Sequence, residues 1–267
     1  MSHYNNKKHI PVKESFGIIL CKHVPTEPLN VLVVKKRYTY SYAEFIHGHY
    51  SIKDLRKVYG LFEHMTPEEL LDIWSLNFPQ MWFRIWLSYD QTTHYNKKYK
   101  KFYNAFMKHD NGKKLRKTLE STKNYSGLYY EFPKGKQIIV EDPIQKVITT
   151  EDPLVCAIRE FEEETKINKK YYKIINGFNR RFSYIHMGVK YVNTYFLALA
   201  KPNLLTKNIY EFCHDITNSE VTEVKWVTTR ELQIIDSKNN MLTKLIKPAF
   251  NMIKNYIKGK KSNNIIT

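Results

Sequence analysis

Three carboxylates that must share one face of a short helix constrain this chain more than any other feature. Between Glu151 and Ile167 the sequence reads EDPLVCAIREFEEETKI, and Glu160, Glu163 and Glu164 fall at i, i+3 and i+4. At about 3.6 residues per turn these side chains lie on one flank, where each like-charge pair destabilises an isolated helix by roughly 0.2–0.5 kcal/mol. A compensating positive charge is required. Arg159 is one candidate, but a single guanidinium does not neutralise three or four carboxylates, whereas a hard divalent cation takes an all-oxygen ligand set. Leu154, Ile158, Phe161 and Thr165 recur on another flank with Ala157 beside them, so the helix is expected to pack there and present acid elsewhere. Asp152 is placed to cap the first free amides and Pro153 to stand at N1, where no N–H is needed. Glu151 then sits on the loop just before the helix.

The string Arg159-Glu160-Phe161-Glu162-Glu163-Glu164, with Glu151 eight residues before the arginine, resembles the Nudix box, G-x5-E-x7-R-E-U-x-E-E-x-G-U. The resemblance implies an α/β fold with a mixed β-sheet sandwiched by helices. It also implies a loop–helix–loop that binds Mg²⁺ or Mn²⁺ and hydrolyses a nucleoside diphosphate linked to another group. Two departures stand out. Lys166 occupies the position of the family's second glycine, where a turn often needs positive φ, at about 1 kcal/mol for a residue with a side chain. The interval from Gly135 to Glu151 is also ten residues longer than the pattern, and Glu-Asp-Pro occurs twice, at Glu141 and at Glu151. Glu141 keeps the spacing from Gly135 and Glu151 keeps the spacing to Arg159. The rigid helical distance favours Glu151, because a loop insertion is inexpensive. Gln137 to Thr150 then forms an added flap or hairpin at the mouth of the site.

The acidic helix is a local exception in a basic chain, whose 267 residues carry a formal charge of +17 and a pI near 9.5. That balance points to a polyanionic substrate or partner, RNA, an inositol phosphate or a membrane surface, although Lys-, Asn-, Ile- and Tyr-rich usage also follows from an AT-rich coding genome. The 42% hydrophobic content supports a packed core. Cys21, Cys156 and Cys213 are odd in number and lack zinc-ligand spacing, which fits a reducing interior. No apolar run is long enough to span a membrane and the first residues lack a secretory pattern, so a soluble intracellular protein is expected.

Ser15–Cys21 and Val31–Arg37, separated by Pro25 and Pro28, read as paired strands. About ninety residues then intervene before the FPKGK stretch that carries Gly135. Within them, Thr66-Pro67-Glu68-Glu69 opens like a capped helix, with Leu70, Leu71 and Trp74 following at helical spacing. The expected organisation is a discontinuous domain of residues 1–38 and 127–267, interrupted by an inserted helical domain at 39–126. Tyr191–Ala200 and Glu223–Val227 read as strands, Thr229–Ile235 and Met241–Ile257 as closing helices.

FIHGHYS at Phe45–Ser51, MWFRIW at Met81–Trp86, KKYKKF at Lys97–Phe102, NGKKL at Asn111–Leu115 and the later FPKGK, CAIREFEEET and PAFNMIKNY are similar to the asfarvirus decapping branch of the Nudix family, which has relatives in giant viruses of the mimivirus type. That resemblance implies a viral mRNA-decapping hydrolase. It would cleave the cap's pyrophosphate bridge to release m7GDP and 5′-monophosphate RNA in the host cytoplasm, with packaging in the virion left open, and so hasten mRNA turnover and host shutoff. Diphosphoinositol polyphosphates are a second implied substrate class. The alternatives are a diphosphoinositol polyphosphate or free-nucleotide diphosphatase and a non-catalytic RNA-binding module.

By position in the motif, Glu160 and Glu164 are the metal ligands and Glu163 a ligand or the base. Glu151 completes a metal shell or bonds to Arg159, which then orients the carboxylates. Decapping relatives often draw the base from a later loop, which makes Glu220 the first candidate there and Glu223 the second. The resemblance also assigns the Gly135 carbonyl to the metal, and Lys134 and Lys136 flank it where phosphates would come. For RNA, Lys97, Lys98, Lys100, Lys101, Lys108, Lys113, Lys114, Arg116 and Lys117 alternate with Tyr95, Tyr99, Phe102, Tyr103 and Phe106. A backbone-tracking groove with stacking aromatics needs this pattern, and an amphipathic helix with its aromatics in the core also produces it. A second basic face comprises Lys166, Lys169, Lys170, Lys173, Arg180 and Arg181. His47 and His49 lack a ligand partner in the sequence and read as structural. Tyr184, Tyr191 and Trp226 stay open as holders of the methylated guanine.

Overall fold

Four consecutive residues with no exposed surface, Ile18, Ile19, Leu20 and Cys21, mark a strand covered on both faces, and the sheet is built around it. The structure is a computed structural model that describes residues 10–51, 54–89, 92–123, 130–141, 148–186, 188–212, 220–236 and 240–263. Cys213 and residues 124–126 lie outside the described residues.

The strands are β1 (Val12–Lys22), β2 (Asn30–Lys36), β3 (Tyr130–Glu131), β4 (Lys134–Gly135), β5 (Ile139–Glu141), β6 (Ile148–Thr150), β7 (Tyr172–His186), β8 (Val189–Ala200) and β9 (Val221–Thr228). The helices are α1 (Tyr40–Ile46), α2 (Leu55–Phe62), α3 (Pro67–Ser75), α4 (Phe78–Trp86), α5 (Thr93–Phe102), α6 (Lys113–Glu120), α7 (Pro153–Thr165), α8 (Pro202–Leu205), α9 (Thr229–Ile235) and α10 (Met241–Asn263). The main sheet runs β3-β2-β1-β8-β7, with β4 paired to β1 and β9 to β2. β1 is antiparallel to β2 and β4 but parallel to β8, from Val12 opposite Lys190 to Cys21 opposite Leu199, so the sheet is mixed.

The chain divides into two compact units. The first comprises Met1–Val34, Glu131–His214 and Val224–Thr267, the second Lys35–Tyr130 and Asp215–Glu223. In the first, α7 and α10 both pack on β1. The buried face of α7 is Cys156, Ala157, Phe161 and Thr165, rotated from the Leu154–Ile158 stripe that periodicity alone favours, with both of those residues left half-buried. The closing helices expected at Thr229–Ile235 and Met241–Ile257 are present, the latter extending to Asn263.

In the second unit an aromatic core gathers around Phe45, whose ring centroid lies 5.2 Å from Phe62, 5.4 Å from Tyr50 and 5.9 Å from Phe106. The capping box foreseen at Thr66 and Glu69 forms. The buried side of α3 is nevertheless Glu69, Asp72 and Ile73, while Leu71 and Trp74 are exposed. Glu69 tolerates burial because its carboxylate accepts from the Thr39 hydroxyl at 2.8 Å and the Thr66 amide at 2.9 Å.

Candidate active site

Helix α7 starts where its local chemistry requires. Asp152 accepts from the Leu154 and Val155 amides at 2.8 and 3.1 Å, and Pro153 occupies the first turn. Lys166 ends it in the left-handed conformation, φ 58°, donating its amide to Glu162. The added segment before the helix forms an antiparallel pair, β5 with β6, Ile139 opposite Thr150.

Arg159 organises the acidic face. Its five N–H groups meet five oxygens: Nε donates to Glu151 Oε1 and Nη2 to Glu151 Oε2, both at 2.9 Å; Nη1 donates to Glu160 at 2.9 Å and to Glu163 at 3.2 Å; Nη2 also donates to the Lys136 carbonyl at 2.9 Å. Glu151 is further held by the Ile138 amide at 3.3 Å, and the Gln137 side chain donates to its carbonyl. The hydrogen-bonded guanidinium keeps the Glu151 carboxyl below its ordinary value of 4.5, against the opposing effect of desolvation. Glu151 is therefore placed against Arg159, while Glu160, Glu163 and Glu164 spread along the helix toward increasing exposure at Glu163.

Gly135 passes so close to this face that a Cβ built there would overlap the Glu160 carboxylate. A glycine carbonyl and a set of carboxylates form an all-oxygen donor set, the kind that suits Mg²⁺ or Mn²⁺ rather than a softer ion. The residues present fit a hard divalent cation. Cys156 adjoins them, but burial pushes its thiol up to about 12, so it is an inert neighbour rather than a nucleophile.

Of the two phosphate-binding candidates, Lys134 is ion-paired with the buried Glu131, and Lys136 is exposed. Glu131, Gln137 and the Lys136 carbonyl were not foreseen, since i,i+3 spacing outside a helix and a backbone acceptor leave no mark in sequence. Glu220 and Glu223 belong to the second unit. Glu220 pairs with Lys36 at 3.5 Å and is largely exposed, while Glu223 accepts from the Tyr130 hydroxyl at 2.7 Å.

The RNA-binding candidates divide by helix. On α5, Lys97, Lys100 and Lys101 are exposed and Lys98 half-buried; on α6, Lys113, Lys114, Arg116 and Lys117 are exposed. Their aromatic companions split as well, with Tyr95, Phe102 and Phe106 in the core and Tyr99 and Tyr103 exposed. In the second basic face, Arg181 is paired with Glu14 at 2.7 Å. Tyr184 and Tyr191 stack, ring centroids 5.2 Å apart and 16° from parallel.

A NUDIX domain model matches residues 121–247. The mRNA-decapping protein g5R of an African swine fever virus isolate from a Namibian warthog is 35% identical over 253 residues, covering 93% of this chain and 99% of that protein. A protein of Acanthamoeba polyphaga mimivirus is 26% identical over 230 residues, covering 75% of this chain and 58% of its own. Among solved structures, a C. elegans Ap4A hydrolase covers 92% of this chain and 98% of that chain, with a TM-score of 0.40 and 13% identity, too remote to bear on the site.

Proposed function

This chain belongs to the NUDIX-domain family, and from that premise we propose that it is an mRNA-decapping hydrolase that cuts the 5′ cap's pyrophosphate bridge, releasing m7GDP and leaving a 5′-monophosphate RNA. The observation that carries this reading is the near full-length match to a viral mRNA-decapping protein in a chain whose acidic helix is intact. Its place of action is the host cytoplasm, and among the described residues no helix is long and apolar enough to cross a membrane.

Glu160 and Glu164, with the Gly135 carbonyl, would hold the divalent cation, Mg²⁺ or Mn²⁺, and Glu163 is a further ligand or the base. Once bound, such a cation supplies charge neutralisation at the pyrophosphate oxygens and a lowered water pKa. The protein's own part is to keep the carboxylates aimed. Arg159 cannot reach a substrate without giving up one of its five acceptors, so it acts as a positioning residue locked by Glu151. Glu163, the most exposed of the three helix carboxylates, is available to take a proton from the attacking water. Lys136 receives phosphate charge at the site's edge, and Lys134 does so with its ammonium oriented by Glu131. Lys97, Lys98, Lys100 and Lys101 on α5, with Lys113, Lys114, Arg116 and Lys117 on α6, take the RNA backbone.

The deciding experiment incubates cap-labelled RNA with the protein and Mg²⁺ or Mn²⁺, beside Glu164→Gln, and identifies the released species. Release of m7GDP by the unmodified chain alone supports the proposal. RNA bound but uncut, with turnover of diphosphoinositol polyphosphates, would replace it.

A further inference from the structure

The sequence FIHGHYS ends α1 in a turn that the function described above does not use. Gly48 takes φ 68°, its amide donates to the Phe45 carbonyl and the His49 amide to the Glu44 carbonyl, both at 2.9 Å. This pair of bonds is a Schellman motif, and it folds the two residues after the helix back over its last turn. Glu44, His47 and His49 are thereby collected by backbone geometry. Each offers one ligand atom, and the three atoms lie within 4.8 Å of one another. The glycine is needed twice, for its positive φ and because a Cβ there would press on Lys101 of α5 at 3.0 Å.

We infer that Glu44, His47 and His49 form a transition-metal site of the zinc class within the helical unit. Two imidazoles and one carboxylate are a set that zinc accepts, whereas Mg²⁺ prefers the all-oxygen face of α7. The chain thus sorts two kinds of cation by donor chemistry. Ligand atoms around a tetrahedral zinc with bonds near 2.1 Å stand roughly 3.4 Å apart, so the side chains must turn inward by about an ångström. His49 is exposed and free to do so, and its Nδ1 already donates to the Glu44 carboxylate at 2.8 Å. His47 is held against Trp86, ring centroids 4.9 Å apart. His94 stands beside His47, ring centroids 6.1 Å apart. Lys98 is near enough to Glu44 and His47 to interact electrostatically with each.

The test titrates Zn²⁺ into the untagged full-length protein with Mg²⁺ saturating, and repeats it with Co²⁺, whose visible bands report tetrahedral nitrogen ligation. His49→Ala, His47→Ala and the pair Glu160→Gln with Glu164→Gln are measured alongside. One equivalent of Zn²⁺ is expected for the unmodified chain and for the doubly substituted acidic helix, with at least a tenfold loss of affinity and loss of the Co²⁺ bands in both histidine variants. His49 is exposed, so His49→Ala decides the question even where His47→Ala unfolds. No Zn²⁺ uptake over Mg²⁺ by the unmodified chain would overturn the site. So would uptake that survives His49→Ala.

Discussion

Arg159 and Glu151 form a two-point ion pair, Nε to Oε1 and Nη2 to Oε2, each at 2.9 Å, across the junction between a loop and a helix. A planar fork on a carboxylate fixes direction as well as distance, so the pair sets the angle from which the same guanidinium reaches Glu160 and Glu163. Glu151→Gln keeps the shape and removes the charge. It is expected to lower stability by about 2 kcal/mol, the scale of a hydrogen bond to a charged group, and to reduce kcat with little change in RNA affinity. Urea denaturation and single-turnover decapping measure the two effects. Because Glu151 titrates below its ordinary 4.5 when folded, its contribution is full at neutral pH and is lost as pH falls below that range. The stability difference between the two proteins should therefore shrink in acid.

Gly135→Ala puts a methyl where the Glu160 carboxylate lies. Nothing about φ is strained at this position, since Gly135 is absent from the residues with positive φ, so the fold should survive. Turnover should drop at least a hundredfold, and the Mg²⁺ concentration for half-maximal activity should rise. An alanine variant with unchanged metal dependence would remove Gly135 and Glu160 from the cation site.

Legibility in the sequence followed how local each cause is. Helix α7 was readable because its cap, its proline and its acidic spacing are contained within fourteen residues, Asp152 to Thr165. The paired strands β1 and β2 were readable from a short apolar run on either side of two prolines. Strand β7 was not, since its register breaks between Ile175 and Asn179 around Gly177, φ 82°, and the interruption hides the two-residue period. At the site, the carboxylates announced themselves by spacing. The Lys136 carbonyl did not, because any residue supplies one. His47 and His49 read as structural, with no ligand partner in the sequence, and Glu44 carried no signal of its own; the positive φ of Gly48 accompanies the turn that gathers all three.

Lys166→Gly restores the family's residue at the end of α7. Lys166 holds φ 58° with a full side chain, so the glycine should raise stability by about 1 kcal/mol, offset in part by the greater freedom glycine has when unfolded. Thermal unfolding of both proteins gives the answer. Since Lys166 lies beyond the last acidic residue, decapping by the variant should stay close to that of the unmodified chain; a large loss would give the lysine a part in holding phosphate.

Replacing Lys97, Lys98, Lys100 and Lys101 with alanine removes four positive charges from α5 while leaving Tyr95 and Phe102 to hold the helix in its core. Each phosphate neutralised on single-stranded nucleic acid adds about 0.7 to the slope of log affinity against log salt, so losing up to four such contacts should flatten that slope by roughly 2–3 and weaken RNA binding. Lys98 is half-buried and the other three are exposed, so the flattening should come chiefly from Lys97, Lys100 and Lys101. Hydrolysis of a small nucleotide substrate, which needs no backbone track, should be unaffected. Equal losses on RNA and on the nucleotide would mean that these lysines support the fold or the reaction centre, and that the RNA is carried elsewhere, with α6 and its exposed Lys113, Lys114, Arg116 and Lys117 the next surface to test.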